Sequence, residues 1–487
     1  MSVRQNKVMV IGLDGLTLKV LLPLVQSGQL PTFARLLANG AHTVLHSVTN
    51  MTTGPTWASF ATGCQPQQHG ILHDFHHSRD SYLLQPTKGS NGKMPAFWQL
   101  ASNAGRRVIV LNVPLTYPVQ PVNGVILAGI DAPSERAPDF AYPKDSYQAI
   151  RRHAGDYLID CGLASYMQAG RVAEGVAAVA RETAGRTRAA EYLMQQQDWD
   201  LLVVVYSLPD VWQHYYWTAP VGSAGHEQML EGYRQVDHHL ARLLKHLPDD
   251  GVALICSDHG FGPLLGTRDH LNQWLAKQGF LHYKATQANS TRHRLTQFLL
   301  KQIRQRASFR WRQQLLASVP SLRRVIETSL RIGDIDWTKT QVYAALDHLE
   351  LWVNVRGRQP NGCVELADYA NLCDQVTTAL LNWRDDQTGL AYIKTVERTR
   401  YRSGGYYDHL PPDLSLTWNS DVVAPQLHPL ISGDHTPDGT LIVAGKDIQP
   451  GQLAEASLVD VAPIALRSLG LPVPTSMEGR VPVGLFT

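Results

Sequence analysis

Short apolar runs, several of them rich in β-branched residues, recur along the chain and are separated by segments with helical character. They include residues 7–13, 107–113, 201–206 and 252–256. Strands that are apolar on both faces are typical of a mostly parallel sheet covered by helices on both sides. The runs therefore predict an α/β fold, in which chemistry is expected at the carboxyl ends of the strands.

This alternation of strands and helices is interrupted between residues 265 and 430. In a chain of 487 residues, we therefore expect a catalytic core formed by residues 1–264 and 431–487, and a cap or insertion region formed by 265–430. Within the insertion, a predicted helical segment, 284–331, carries eleven Lys and Arg residues against a single acid. One interpretation is a solvated basic hairpin; the other is a surface that attracts an anionic substrate or lipid headgroup.

Composition narrows the class of protein. The formal net charge of +2 predicts no specific binding of nucleic acid. Five widely spaced cysteines without a CxxC pair favour a reducing compartment over a disulfide framework. The first apolar run is too short for a signal sequence, and no stretch approaches the roughly 20 apolar residues of a membrane span. We therefore expect a cytoplasmic protein without a transmembrane segment.

Acids and histidines follow three of the apolar runs. Asp14 follows the first run, and the pair Asp258 and His259 follows the fourth. Asp210 and His214 come after the third run at an i, i+4 spacing, which places both side chains on one face of a helical turn. Taken singly, Asp14 could cap a helix and the pair on the turn could be solvated. Together, carboxylates and imidazoles at strand ends indicate a two-metal hydrolase.

Two further segments contain candidate site residues. His435 lies in a turn-rich loop, where it could be a turn residue or a distant third ligand. Thr52 and Thr53 precede Pro55, which is expected in the first turn of a helix whose free N–H groups form an anion site. Either threonine could attack phosphorus or merely cap that helix, and these residues alone do not choose between the two.

Five blocks resemble the alkaline phosphatase superfamily, specifically its type I phosphodiesterase/nucleotide pyrophosphatase branch. They are IGLDG at 11–15, TGPTWASFATG at 53–63 with QHGI at 68–71, Asp210 with His214, SDHG at 257–260 and GDHTPDG at 433–439. Prokaryotic members are also similar at NVPLTYP (112–118) and GRQPNG (357–362). The resemblance covers most of the chain outside the basic segment and implies an alkaline-phosphatase-like fold.

The resemblance also implies a role for each candidate residue. Six side chains would hold two divalent metal ions, the first ion by Asp210, His214 and His435, and the second by Asp14, Asp258 and His259. Thr53 would bridge to the second ion, attack phosphorus and become a phosphothreonine, which water activated at the first ion would hydrolyse. The two ions are expected to be zinc, with manganese as the alternative.

The chain departs from the family in the phosphate contact. In nucleotide pyrophosphatases an Asn some twenty residues after the nucleophile donates to the phosphate, whereas residues 71–77 here contain no Asn. Asp74 lies in this region and is a candidate substrate contact, but an ionised carboxylate cannot donate a hydrogen bond. The absence of this Asn weakens the case for a nucleotide as the substrate. Tyr406 and Tyr407 are further candidates to line the substrate entrance.

These observations predict a metal-dependent hydrolase that cleaves phosphodiester or pyrophosphate bonds of a small substrate through a phosphothreonine on Thr53. The alternative is a hydrolase of phosphomonoesters, phosphonates or sulfate esters that uses the same metals. A third interpretation is a catalytically silent metal-binding protein whose basic segment recruits a partner. The complete ligand set and a usable threonine argue against the third interpretation.

Overall fold

The computed structural model describes residues 6–77, 82, 84–266, 268–284, 334–345, 349–398, 412–419, 421–422 and 430–487. Tyr406, Tyr407 and all but the first residue of the basic segment 284–331 lie outside the described residues. The chain forms two compact units, the first made of residues 1–74, 87–264 and 428–487 and the second of residues 75–86 and 265–427. Residues 75–86, assigned above to the core, thus belong to the second unit.

Strands of the described residues are numbered in chain order. They are β1 (Val8–Leu13), β2 (Gly40–His46), β3 (Phe75–His77), β4 (Leu84–Pro86), β5 (Val108–Val113), β6 (Gly124–Ala128), β7 (Ala141–Tyr142), β8 (Leu201–Tyr206), β9 (Val252–Cys256), β10 (Gly260–Pro263), β11 (Val342–Tyr343), β12 (Glu350–Val353), β13 (Ile393–Arg398), β14 (Leu414–Trp418), β15 (Gly433–Thr436), β16 (Asp438–Gly445), β17 (Gly451–Gln452) and β18 (Ala456–Ser457).

Helices of the described residues are numbered in the same way. They are α1 (Leu18–Gln26), α2 (Pro31–Asn39), α3 (Thr53–Thr62), α4 (Pro66–His69), α5 (Phe97–Asn103), α6 (Ser146–His153), α7 (Leu163–Gln168), α8 (Val172–Gln196), α9 (Asp210–Tyr216), α10 (Ala224–Leu244), α11 (Arg268–Lys277), α12 (Tyr369–Leu381) and α13 (Val461–Ser468), with 3₁₀ turns at Gly89–Asn91 and Leu458–Asp460. Among these helices, none combines the length and the apolar character that a bilayer crossing requires.

The central sheet of the first unit has the strand order β17-β2-β16-β9-β1-β8-β5-β6-β7, and β18 also pairs with β2. Strands β9, β1, β8, β5 and β6 run parallel, whereas β16 is antiparallel to both β2 and β9. Strands β1, β8 and β9 are buried along their whole length. The structure therefore confirms the predicted α/β class and the mostly parallel sheet. Because β8, β1 and β9 are neighbours, their carboxyl ends meet at one edge.

Helix α3 packs directly on β1, and this contact depends on a glycine. A Cβ atom at Gly12 would lie 2.5 Å from the ring of Trp57 and 2.9 Å from Val205, so a larger residue at position 12 would displace the helix. Trp57 itself is fully buried. Thr53 lies one helical turn before Trp57, and the packing of Trp57 thereby holds Thr53 close to the end of β1.

The prediction of a loop at residues 432–439 is wrong in one respect. Residues Gly433–Thr436 form β15, which pairs antiparallel with β10 and places His435 opposite Phe261. Gly260, in the partner strand β10, permits close packing, since a Cβ atom at this position would lie 2.0 Å from the carbonyl oxygen of Asp438. A glycine-rich segment that looks like a turn is therefore a short strand held by long-range pairing.

The second unit has its own antiparallel sheet, with the strand order β11-β12-β14-β13. The side chain of Asp413 organises this unit. It accepts hydrogen bonds from both terminal nitrogens of Arg358, at 2.8 and 2.7 Å, and from the Tyr369 hydroxyl at 2.8 Å. Arg358 belongs to the GRQPNG block at 357–362, so one contribution of that block is to hold the second unit together.

Burial of His69 predicts a loss of stability in acid. The side chain is fully buried and contacts Ser59 through Nε2 at 2.9 Å, and burial lowers the pKa of His69 to about 4. The unfolded chain, with a pKa near 6.5, therefore binds this proton first as the pH falls, so the stabilisation is complete above pH 6.5 and is lost toward pH 4.

We expect the free energy of unfolding of His69→Gln to fall less between pH 7 and pH 5 than that of the wild type, by about 2 kcal/mol. Urea unfolding at the two pH values measures the difference. Equal losses in both proteins would show that His69 does not carry this sensitivity.

Candidate metal centre

The structure brings together the six predicted ligand side chains, all of them in the first unit. Asp14 directly follows β1, and Asp258 and His259 follow β9 within three residues of its end. Asp210 is the first residue of α9, which follows β8, and His214 lies one turn further along that helix. The sixth side chain, His435, lies in β15.

The first cluster consists of Asp210, His214 and His435. Oδ1 of Asp210 lies 3.4 Å from Nε2 of His214 and 3.6 Å from Nε2 of His435, and the two Nε2 atoms are 3.1 Å apart. This Oδ1 atom is buried and has no hydrogen-bond partner within the described residues. Two imidazole nitrogens and an unsatisfied carboxylate oxygen thus converge on one point, as in a cation site.

The second cluster consists of Asp14, Asp258 and His259. Nε2 of His259 lies 3.3 Å from Oδ1 of Asp14 and 3.4 Å from Oδ2 of Asp258. Thr56, which the sequence analysis missed, donates a hydrogen bond of 2.9 Å to Oδ2 of Asp258. The rings of His259 and His435 stack with their centroids 3.6 Å apart, so the two clusters are adjacent.

The three histidines share one hydrogen-bonding arrangement. In each of them Nδ1 contacts a backbone carbonyl: His214 with Gly433 at 3.0 Å, His435 with Met51 at 2.7 Å and His259 with Gly260 at 2.9 Å. A carbonyl only accepts, so Nδ1 of each ring must carry a hydrogen. Nε2 then faces the cluster, and its lone pair is available to a metal ion when the ring is neutral. Metal-ligating histidines are oriented in this way.

The electrostatics of the two clusters favour the binding of cations. Burial, followed by the charge of Asp14, raises the pKa of Asp258 to about 7. Burial and the charge of Asp210 raise the pKa of Asp14, and burial raises the pKa of Asp210 as well. Burial alone would lower the pKa of His259, but the neighbouring carboxylates, led by Asp258, outweigh it and raise that pKa to about 10. Several buried carboxylates lie close together, and a divalent ion bound among them would neutralise their charges.

The two threonines differ in their surroundings. Helix α3 begins at Thr53, which lines a cavity together with Asp14 and Asp210, one carboxylate from each cluster. Thr52 is not among the residues that line this cavity. The Thr52 hydroxyl does not cap the helix, and it is buried without a hydrogen-bond partner in the described part of the chain. Of the two hydroxyls, that of Thr53 therefore has access to the clusters.

The cavity beside Thr53 has a volume of about 140 Å³. Its apolar lining residues are Pro114, Ile130, Leu163, Val179, Val205, Leu208 and Val211. None of the described residues that line the cavity is a lysine, an arginine or a histidine. It therefore has room for a small group but no basic side chain to pair with an anion.

A third acidic group, made of Asp160, Cys161 and Glu182, also lines the cavity. Glu182 is buried and already paired, since it lies 2.5 Å from Arg186 and accepts hydrogen bonds from the Ser207 hydroxyl at 2.9 Å and the Cys161 N–H at 2.7 Å. Its oxygens are committed to these partners, so this group does not resemble the two clusters. The ion-paired Glu182 holds the side chain of Ser207, which lies three residues before Asp210.

Asp74, the predicted substrate contact, lies at the amino end of α3. Its Oδ1 atom accepts a hydrogen bond of 2.5 Å from the backbone N–H of Gly54, the residue after Thr53. One of the N–H groups that make this helix end attractive to anions is thus bound by a carboxylate of the chain itself.

The sequence profile of the Type I phosphodiesterase / nucleotide pyrophosphatase family matches residues 8–347. The chain belongs to the type I phosphodiesterase/nucleotide pyrophosphatase family. This match confirms the resemblance found in the sequence. No curated protein matches the chain. The family is metal-dependent. Two overlapping groups supply candidate ligands for metal ions, namely Asp210 with His259 and His435, and Asp14 with Asp258 and His259.

Solved structures of two other proteins have a similar fold. Phosphonoacetate hydrolase from Sinorhizobium meliloti 1021 is 16% identical in its complex with phosphonoformate, with a TM-score of 0.56, and 15% identical in its complex with phosphonoacetate, with a TM-score of 0.54. Murine ectonucleotide pyrophosphatase/phosphodiesterase 5, as an inactive threonine-to-alanine variant in complex with AMP, is 12% identical with a TM-score of 0.52.

Each of these comparisons covers 96% of both chains. At such low identity the similarity shows the fold, and it confirms the predicted alkaline-phosphatase-like architecture. The family and its structural neighbours are hydrolases that act on phosphate esters or related phosphorus compounds.

Proposed function

We propose that this family member is a two-metal hydrolase that cleaves phosphodiester or pyrophosphate bonds through a phosphothreonine on Thr53. The observation that supports this most strongly is that Thr53 shares a cavity with Asp14 and Asp210, one carboxylate from each cluster. A nucleophile that shares a cavity with two cation sites suits in-line phosphoryl displacement, because the two ions can stabilise both the attacking and the leaving oxygen. The inactive variant of the murine enzyme, in which a threonine is replaced by alanine, agrees with a threonine nucleophile.

In this proposal the six cluster residues hold the metal ions. The first cluster would bind one ion through Asp210, His214 and His435, and the second cluster would bind the other through Asp14, Asp258 and His259. Ions bound there would withdraw charge from the phosphoryl oxygens and lower the pKa of the Thr53 hydroxyl. Nitrogen and carboxylate ligands suit zinc, and manganese is the alternative.

Thr53 carries the covalent steps. Its oxygen forms a bond to phosphorus as the bond between phosphorus and the leaving oxygen breaks, and the leaving group takes up a proton. Water then attacks the same phosphorus, the bond to Thr53 breaks, and the hydroxyl is restored. The positive end of the α3 dipole lies at Thr53 and stabilises negative charge that develops on the phosphoryl group.

The cavity favours a diester over the monoester, phosphonate and sulfate alternatives. Its volume of about 140 Å³ is close to the roughly 150 Å³ of an engineered apolar cavity that takes benzene. A second substituent of a phosphodiester can therefore occupy the space beside Thr53.

Relative rates on synthetic substrates test the proposal. With zinc or manganese added, we expect faster hydrolysis of bis-p-nitrophenyl phosphate than of p-nitrophenyl phosphate or phosphonoacetate, and loss of all activity with a chelator. Preference for the monoester or for phosphonoacetate would contradict the diesterase assignment. Two bound metals without any turnover would support the silent binding protein. The cytoplasmic location stays a prediction.

Filling the cavity provides a test of where the second substituent lies. Val179 lines the cavity, so Val179→Phe is expected to lower kcat/KM for bis-p-nitrophenyl phosphate about tenfold or more. Methyl p-nitrophenyl phosphate, whose second substituent is small, should be affected much less. Val172→Phe on the same helix is the control, because Val172 is exposed. Equal losses for both substrates would place the second substituent elsewhere.

A further inference from the structure

We propose that Asn50 orients His435 through the peptide group that joins Met51 to Thr52, and that it thereby sets the affinity of the first cluster for its metal ion. This inference rests on the proposed function, because it needs an ion at the first cluster. Asn50 is a positioning residue, which acts through His435 and takes no part in the covalent steps.

A single peptide group lies between Asn50 and His435. Its carbonyl, that of Met51, accepts the 2.7 Å hydrogen bond from Nδ1 of His435. Its N–H, that of Thr52, donates a hydrogen bond of 3.2 Å to Oδ1 of Asn50. The carbonyl and the N–H of one trans peptide unit lie in one plane and point in opposite directions. By holding the N–H, the Asn50 side chain therefore fixes the direction of the carbonyl that orients His435.

The Asn50 side chain is itself anchored. It is buried, and its Nδ2 atom donates a hydrogen bond of 2.8 Å to the carbonyl of Leu72 and lies 2.5 Å from Nδ1 of His73. A carbonyl only accepts and a backbone N–H only donates, so Leu72 and Thr52 together fix which end of the amide is nitrogen and which is oxygen. A continuous chain of hydrogen bonds thus runs from Leu72 through Asn50 and the peptide group to His435.

This chain controls the His435 ring rather than its backbone, which the pairing of β15 with β10 already holds. When the Met51 carbonyl is in place, Nδ1 keeps the hydrogen and Nε2 faces the first cluster. A ring released from this acceptor can rotate, or it can carry its hydrogen on Nε2, and that nitrogen then no longer binds an ion. Loss of such an outer partner of a metal-ligating histidine typically weakens metal binding about 10–100-fold.

Asn50→Ala tests this role when it is combined with variants that keep only one ion. Asp258→Ala is expected to keep the ion of the first cluster, and there the addition of Asn50→Ala should weaken zinc binding about 10–100-fold. His214→Ala is expected to keep the ion of the second cluster, whose zinc affinity should change by less than about threefold. Competition with a fluorescent zinc chelator measures the affinities.

Asn272→Ala is the matched control. Asn272 is a buried asparagine of the second unit, and its amide also joins two distant segments. Nδ2 donates a hydrogen bond of 2.9 Å to the carbonyl of Ala344, and Oδ1 accepts one of 2.8 Å from the N–H of the same residue. Loss of this amide should lower the thermal stability, as at Asn50, but should leave the zinc affinity of the first cluster unchanged. Equal weakening by Asn50→Ala and Asn272→Ala would show that Asn50 acts only through general stability.

The position of the hydrogen on His435 gives a readout that needs neither metal nor turnover. Nitrogen-15 NMR of the histidine side chains, with the His435 signals assigned by their loss in His435→Ala, distinguishes the two ring nitrogens. In the metal-free wild type at a pH of about 8, where a free imidazole is neutral, we expect the hydrogen on Nδ1. In Asn50→Ala a measurable share of the rings should carry it on Nε2.

The two measurements separate failure of this inference from failure of the proposed function. If the zinc affinity of the first cluster and the His435 signals both stay at wild-type values in Asn50→Ala, the role of Asn50 is refuted while the hydrolase assignment stands. If the His435 signals change as expected but the wild type binds no zinc, Asn50 orients His435 and the proposed function fails.

Discussion

Thr53→Ala is expected to abolish phosphodiester hydrolysis, with kcat reduced by about 10⁴-fold or more, while the protein keeps its full metal content. The reason is that the proposed reaction passes through a covalent bond to the Thr53 oxygen, and alanine offers no oxygen. The six cluster side chains are unchanged in this variant, so we expect them to hold both ions even without the contact from the Thr53 oxygen to the second ion. Steady-state kinetics on bis-p-nitrophenyl phosphate, together with elemental analysis, measure both quantities.

Thr52→Ala is the matched control for this prediction. Thr52 is the neighbouring threonine, it does not line the cavity, and its hydroxyl caps nothing. Its removal should change kcat by less than about threefold. An active Thr53→Ala protein, or an inactive Thr52→Ala protein with both metals bound, would contradict the choice of nucleophile.

The second large effect is expected when either cluster loses a ligand. His214→Ala and Asp258→Ala should each bind one metal ion less than the wild type, and each should lower kcat by about 10³-fold or more. These two residues are chosen because His259 stacks on His435 and lies near the carboxylates of both clusters, so a change at His259 would disturb both sites. Elemental analysis after dialysis gives the metal content.

Two variants outside the clusters serve as controls. They show whether removing any histidine or aspartate, wherever it lies, lowers the metal content or the rate. His246 follows α10, and the Asp198 side chain is 92% exposed. His246→Ala and Asp198→Ala should retain both metal ions and the wild-type rate. Retention of both ions by His214→Ala or Asp258→Ala would show that the two clusters do not divide the metals as proposed.

Much of this arrangement could be predicted from the sequence, because most of the site residues directly follow strands that the local sequence pattern identifies. Apolar runs identify buried parallel strands, and the residues that follow such strands must meet at one edge of the sheet. Asp14, Asp210 and Asp258 were found in this way, with His214 and His259 beside them. The helix starting at Thr53 was signalled by Pro55 in its first turn.

What could not be predicted depends on contacts between distant segments. His435 lies in a strand and not in a loop, because Gly260 and Gly433 permit β10 and β15 to approach closely. The residues themselves left Thr52 and Thr53 equivalent, and the family resemblance implied Thr53. In the structure the two differ because Thr53, and not Thr52, lines the cavity that Asp14 and Asp210 also line. The hydrogen bond from Gly54 to Asp74 joins residues 20 positions apart, and the composition of residues 54–74 does not predict it.

Trapping the covalent intermediate tests the central claim most directly. Metal-loaded enzyme mixed with bis-p-nitrophenyl phosphate is quenched in acid within the first turnover, and its peptides are fragmented in a mass spectrometer to locate phosphate. We predict phosphate on Thr53, absent from metal-free enzyme and from the Thr53→Ala variant. Phosphate on another residue, or turnover that never leaves phosphate on the protein, would contradict the account.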